Sequence, residues 1–142
     1  MKDIEKGLQN AELIESVQDT KASILNNLQL KKPVSGALIT KFISTNTSIS
    51  FAANANEKVI AILSGNVILT GNSPESGAYI VVQAENQLVY ILKNNSQLLK
   101  KTGNFVKAGE TIAIVGKNNK NYVSTLELWY KGKAIDGSKF IK

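Results

Sequence analysis

LVYILKNNSQLLKKTGNFVKAGETIAIVG (residues 88–116) and STLELWYKGKAIDGSKFI (residues 124–141) alternate short β-branched runs with Gly, Asn, Ser and Asp. The run Leu88–Leu92 is apolar at consecutive positions. That pattern implies burial on both faces, or one sheet packed on another. GNFVKAGETI (103–112) carries Gly109 at a tight turn and is expected to turn Val106 and Ile112 inward. WYKGKA (129–134) reads as a hairpin with Gly132 at its turn.

The same texture extends upstream. GALITKF (36–42), SISFAA (48–53), KVIAIL (58–63), NVILTG (66–71) and AYIVVQA (78–84) are further strand runs. GNSPESG (71–77) reads as a hairpin loop, and KNNS (93–96) and KNNKN (117–121) as polar loop tips, since Asn tolerates left-handed backbone geometry. Short strands spaced this regularly predict an all-β barrel or sandwich over residues 33–142. Before it, residues 3–29 read as one amphipathic α-helix. Ile4, Leu8, Ala11, Ile14 and Val17, then Ile24, Leu25 and Leu28, recur mostly at spacings of three and four. Pro33 ends that segment, so residues 1–32 are expected to form the helix and its linker. The helix could dock on the domain, or self-associate as part of a coiled coil.

Composition narrows the chemistry. The chain of 142 residues has no Cys, hence no disulfide and no thiolate. It has no His, which removes the commonest general base and zinc ligand. The net charge is +6, and every basic residue is Lys. Such a surface attracts anions, but without Arg or aromatic interleaving no nucleic-acid partner is expected. No run approaches the ~20 apolar residues of a membrane span. Residues 1–20 carry charges throughout and hold no visible export signal, so an extracytoplasmic location would rest on a signal upstream of Met1.

Four segments, in order, resemble the lysostaphin-type (LytM-like) peptidoglycan-peptidase domain, a duplicated hybrid motif. They are KPVSGALITKF (32–42), ISFAANANEKVIAILSGNVILTG (49–71), the 88–116 stretch and the 124–141 stretch. VKAGETIAIVG and ELWYKGKAID are the most specific pieces. The resemblance implies a zinc site built from H-x-x-x-D and the last His of H-x-H, with a second catalytic His in H-x-H and another after a Tyr. Carried over position by position, these fall on Asn46, Ser50, Val123, Thr125 and Leu92. None is a good zinc ligand, and no slip of alignment finds a His in a chain that has none. Glu127 matches a family Glu that does not bind zinc, and Asp136 matches a structural Asp. Trp129 is expected to be a structural anchor.

The resemblance therefore implies a pseudo-peptidase with no metal and no cofactor. Asn46, Ser50, Leu92, Val123 and Thr125 are expected to line a vestigial groove that binds an envelope protein. A peptidoglycan amidase is the partner it suggests, with the chain as activator or scaffold in the periplasm or another extracytoplasmic compartment of a bacterium. The alternative is direct binding of peptidoglycan or an anionic wall polymer. A third reading, a lipoyl- or biotinyl-type carrier, rests on the VKAGETIAIV hairpin. Lys117 and Lys120 lie among Asn residues, which is not the setting of a modified Lys.

Overall fold

A computed structural model describes residue 25 and residues 27–141. The helix expected over residues 3–29 lies almost wholly outside the described residues. Within them the chain is antiparallel β-structure: β1 (Leu38–Thr40), β2 (Ile49–Ala53), β3 (Lys58–Ile60), β4 (Gly65–Ser73), β5 (Gly77–Ala84), β6 (Leu88–Leu98), β7 (Phe105–Val106), β8 (Thr111–Asn118), β9 (Asn121–Tyr130) and β10 (Lys133–Ile135). The sheet runs β1-β2-β9-β8-β6-β5-β4-β7, with β10 on β9 and β3 on β8. β6 also pairs directly with β9. A 3-10 helix follows at Gly137–Phe140, capped by Asp136, whose Oδ1 accepts from Ser138 N at 3.0 Å. Asp136 is thus structural, as the resemblance implied.

The core explains the apolar runs. Ile80, Val82, Leu88, Tyr90, Leu92, Val106, Ile112, Val115, Leu126 and Leu128 are buried together, including the Val106–Ile112 pair expected across the Gly109 turn. Leu30 and Val34 join them, although they precede the first strand. Leu30 N donates to Phe140 O at 2.8 Å and Lys31 N to Ile62 O at 3.1 Å, so the stretch read as linker is stitched to the domain near its C-terminus and between β3 and β4. Tyr90 is fully buried, and its hydroxyl donates to Leu63 O at 2.8 Å. Burial pushes the phenol's pKa up, so it stays a donor across the physiological range.

Two features depart from the sequence reading. The end of the 124–141 stretch, KAIDGSKFI (133–141), is not all strand: it divides into β10 and the 3-10 helix, because the Asp136 side chain caps a turn there. KNNS is not a loop tip but lies inside β6. Asn94 adopts φ 64° in mid-strand, and this residue is where β6 changes partner. Residues Leu88–Lys93 pair with β9, and Asn95–Leu98 pair with β8. The Asn94 amide ties the junction together, donating to Val123 O at 2.6 Å and Gly116 O at 3.2 Å. Its own backbone N donates to Ser76 O at 2.8 Å.

Alanine at position 94 would lose both side-chain bonds and carry left-handed strain; glycine would lose the bonds alone. We expect Asn94→Ala to cost about 2–3 kcal/mol, and Asn94→Gly about 1 kcal/mol less, by urea unfolding. Equal losses would mean that the left-handed conformation is not what selects Asn.

Candidate functional site

The pleat of β9 sorts the matched residues. Ser124, Leu126, Leu128 and Tyr130 face the core. Val123, Thr125, Glu127 and Trp129 take the other face. β2 lies beside them, with Ser50 opposite Thr125 and Ala52 opposite Val123. The hydroxyls of Ser50 and Thr125 are 3.1 Å apart. Two positions expected to share a groove are therefore in contact, and Val123 is two residues along the same face. Asn46 stands just before β2 in the turn closed by Ile43 N donating to Asn46 O at 2.9 Å. Its Oδ1 accepts from Ser48 N at 3.1 Å and fixes the approach to the strand.

Leu92 is a correction. It is fully buried, paired with Leu126 and part of the core, so it lines no groove. Tyr90 and Leu92 both point inward, and the next residue, Lys93, comes out opposite Thr125. The alternation itself carried this signal: an inward Tyr90 makes residue 92 inward and residue 93 outward.

Lys93 organises the site. Its ammonium pairs with the Glu127 carboxylate. Glu127 Oε2 also accepts from Ser48 Oγ at 3.1 Å, and Oε1 accepts from Trp129 Nε1 at 3.0 Å. Burial pushes the Glu127 pKa up, yet the bonds from Lys93, Trp129 and Ser48 outweigh it and hold the carboxyl below its ordinary value. Glu127 is ionised at neutral pH and satisfied on both oxygens. Trp129 is only half-buried and braces this carboxylate rather than anchoring the core.

Beside the network lies a cleft of about 460 Å³, whose walls include Ser48, Thr125, Lys93, Asn94, Lys117 and Glu75. The β4–β5 turn and the β8–β9 turn form two of its rims, the latter with Asn119 at φ 60°. The KNNKN segment is therefore a hairpin tip, as its composition suggested. Val123 instead borders a neighbouring depression with Ile39, Ala52 and Tyr122.

The donors do not suit a zinc ion. The positions matched to its ligands carry Asn46, Ser50 and Thr125, an amide and two hydroxyls, and the ammonium of Lys93 reaches the same strand pair. Zinc hydrolases need about three imidazole, thiolate or carboxylate ligands. Among the described residues no three His, Cys, Asp or Glu side chains come together in a way that could hold a metal. What the arrangement can offer is a walled cleft with ammonium, hydroxyl and amide groups, set on rigid strands.

The family model described as "Peptidase family M23" matches residues 44–137. Outer membrane antigenic lipoprotein B of Haemophilus influenzae is 29% identical over 125 residues, covering 84% of this chain and 31% of that protein. The murein hydrolase activator NlpD of Escherichia coli is 25% identical over 114 residues, covering 77% of this chain and 30% of that protein. This chain thus spans about a third of the length of those relatives. A crystal structure of a putative M23 peptidase from Pseudomonas aeruginosa superposes with a TM-score of 0.73 at 25% identity, covering 80% of this chain and 50% of that one.

Proposed function

The chain belongs to peptidase family M23, and we propose that it keeps the family's cleft for binding and has given up the chemistry. On this reading it is a cell-envelope module that grips a protein partner and activates or scaffolds a peptidoglycan hydrolase. The observation that carries the proposal is the Lys93–Glu127 pair, closed by Ser48 and Trp129 on the face where the family's histidines would converge. A metal-bound water of pKa near 7 needs ligands that the matched positions do not offer, and a resident ammonium opposes a second cation on the same strands. The relative whose name is murein hydrolase activator supports the choice of partner class, an amidase being one such hydrolase. The relative named as an outer-membrane lipoprotein supports an envelope location. Thr125 and Lys93 are the contacts we assign to this cleft, with the buried Ser50 supporting Thr125 and Asn46 acting through its hold on Ser48; Val123, itself buried, forms part of the floor of the neighbouring depression.

The test is dye release from labelled sacculi by an envelope amidase, with and without this chain. Stimulation by the chain is expected, together with its reduction to about a tenth or less by Thr125→Lys, which fills the cleft beside Lys93. No stimulation, alongside sedimentation of the chain with purified sacculi, would favour direct wall binding instead. The Lys-rich surface, net charge +6, is the feature that keeps this second reading.

A further inference from the structure

The sheet has several short edges and one long one. β1, β3 and β10 are three residues each, and each holds or adjoins a lysine: Lys41, Lys58 and Lys133. Short edges and edge lysines discourage strand addition. β4 differs. β7 covers only its start, pairing Gly65 with Val106 and Asn66 with Phe105. The last bonds on that side are Val67 N to Asn104 O and Gly103 N to Val67 O, both 2.8 Å. Beyond Val67, no strand among the described residues lies on the outer side of β4.

That open edge, Ile68–Ser73, reads ILTGNS, with neither a charge nor a proline. A bulge at Ile68 leaves Ile68 and Leu69 both exposed, at 43% and 51%, and Phe105 beside Asn66 is exposed at 59%. The edge thus combines main-chain groups without a partner strand among the described residues with an apolar strip. At its near end the 101–104 turn presents the exposed Lys101. At its far end the β4–β5 turn overhangs the cleft.

We infer that the outer edge of β4 is a strand-addition site, which accepts an extended segment of a protein partner carrying alternating apolar residues and an acidic end. The main-chain groups supply affinity and Ile68, Leu69 and Phe105 supply side-chain contact. Lys101 selects the acidic end. A second copy of this chain fits less well. Pairing along the Ile68–Ser73 edge alone buries far less than the ~1,200 Å² of a specific interface, and two chains of charge +6 repel each other. The inference rests on the proposal that the chain binds a protein, and it adds the mode and place of contact.

The probe is an octapeptide of alternating Val and Thr with two Glu at one end, titrated into the 15N-labelled chain. Amide shifts are expected to concentrate at Val67–Ser73 and Gly103–Asn104. N-methylation of alternate peptide amides should remove them. Lys in place of the two Glu should weaken binding about threefold, and Ile68→Lys with Leu69→Lys on the protein about tenfold or more. Both substitutions are at exposed positions, and the unperturbed remainder of the spectrum checks folding. Shifts absent from the edge, or confined to Lys93, Lys117 and Thr125, would overturn the edge assignment. So would shifts at the edge that grow with protein concentration alone, which would make the occupant a second copy. Stimulation of the amidase is read separately, so it can stand while this inference falls.

Discussion

Replacing Tyr90 by alanine is expected to destabilise the domain by about 3–5 kcal/mol, the largest loss among the substitutions considered. The ring is fully buried where β5, β6 and β9 meet: Tyr90 pairs with Val82 on one side and Leu128 on the other. Truncation removes its burial energy and leaves a cavity that strands bonded on both sides cannot collapse to fill. Tyr90→Phe isolates the hydroxyl. It keeps the ring and orphans Leu63 O, so about 1 kcal/mol is expected. Urea unfolding of both variants checks the pair. If Tyr90→Ala cost no more than Tyr90→Phe, the ring would not be holding the strand junction.

The second large effect lies in the cleft. Lys93→Met is expected to lower stability by about 1–3 kcal/mol at neutral pH, because it leaves a half-buried carboxylate without its cation. The range sits between exposed pairs, worth about 0–1 kcal/mol, and fully buried pairs broken on one side, about 3–5 kcal/mol. The side chains of Lys93 and Glu127 are 24% and 12% exposed, which places this pair between those limits. Adding Glu127→Gln should recover much of the loss, and the double-mutant cycle gives the coupling. The pH dependence has a definite sign. The folded Glu127 carboxyl is held below its ordinary value, so its contribution is present above the unfolded pKa and is lost as pH falls through the folded one. The gap between wild type and Lys93→Met should therefore close on acidification. A gap independent of pH would show that Lys93 acts through packing of its stem alone.

Much of the fold was legible because its signals are local. Apolar runs such as Leu88–Leu92 and the Gly109 and Gly132 turns impose strands and reversals wherever the chain places them. The partner switch at Asn94 was not legible. An Asn in a polar run reads as a loop tip, and only the carbonyls of Val123 and Gly116, distant in sequence, make it a mid-strand junction. β7, two residues long, is likewise defined by β4 rather than by its own composition.

The site was half legible. Ser50 and Thr125 were each matched by motif position, and the pairing of β2 with β9 sets them opposite one another. Leu92 does not line the cleft: motif matching counts from Tyr90, whereas the pleat sends Leu92 to the core and Lys93 to the cleft face. Lys93 and Glu127 lie 34 positions apart, and no periodicity links them. The Glu matched a family position, but its ion pair could be seen only once β6 lay against β9.

The decisive measurement is mass-spectrometric analysis of muropeptides from purified sacculi incubated with this chain alone and one equivalent of added zinc. An unchanged muropeptide profile is the expected result, even at high protein concentration. New cross-bridge or stem-peptide cleavage products, lost on chelation, would contradict a cleft built to hold rather than to cut.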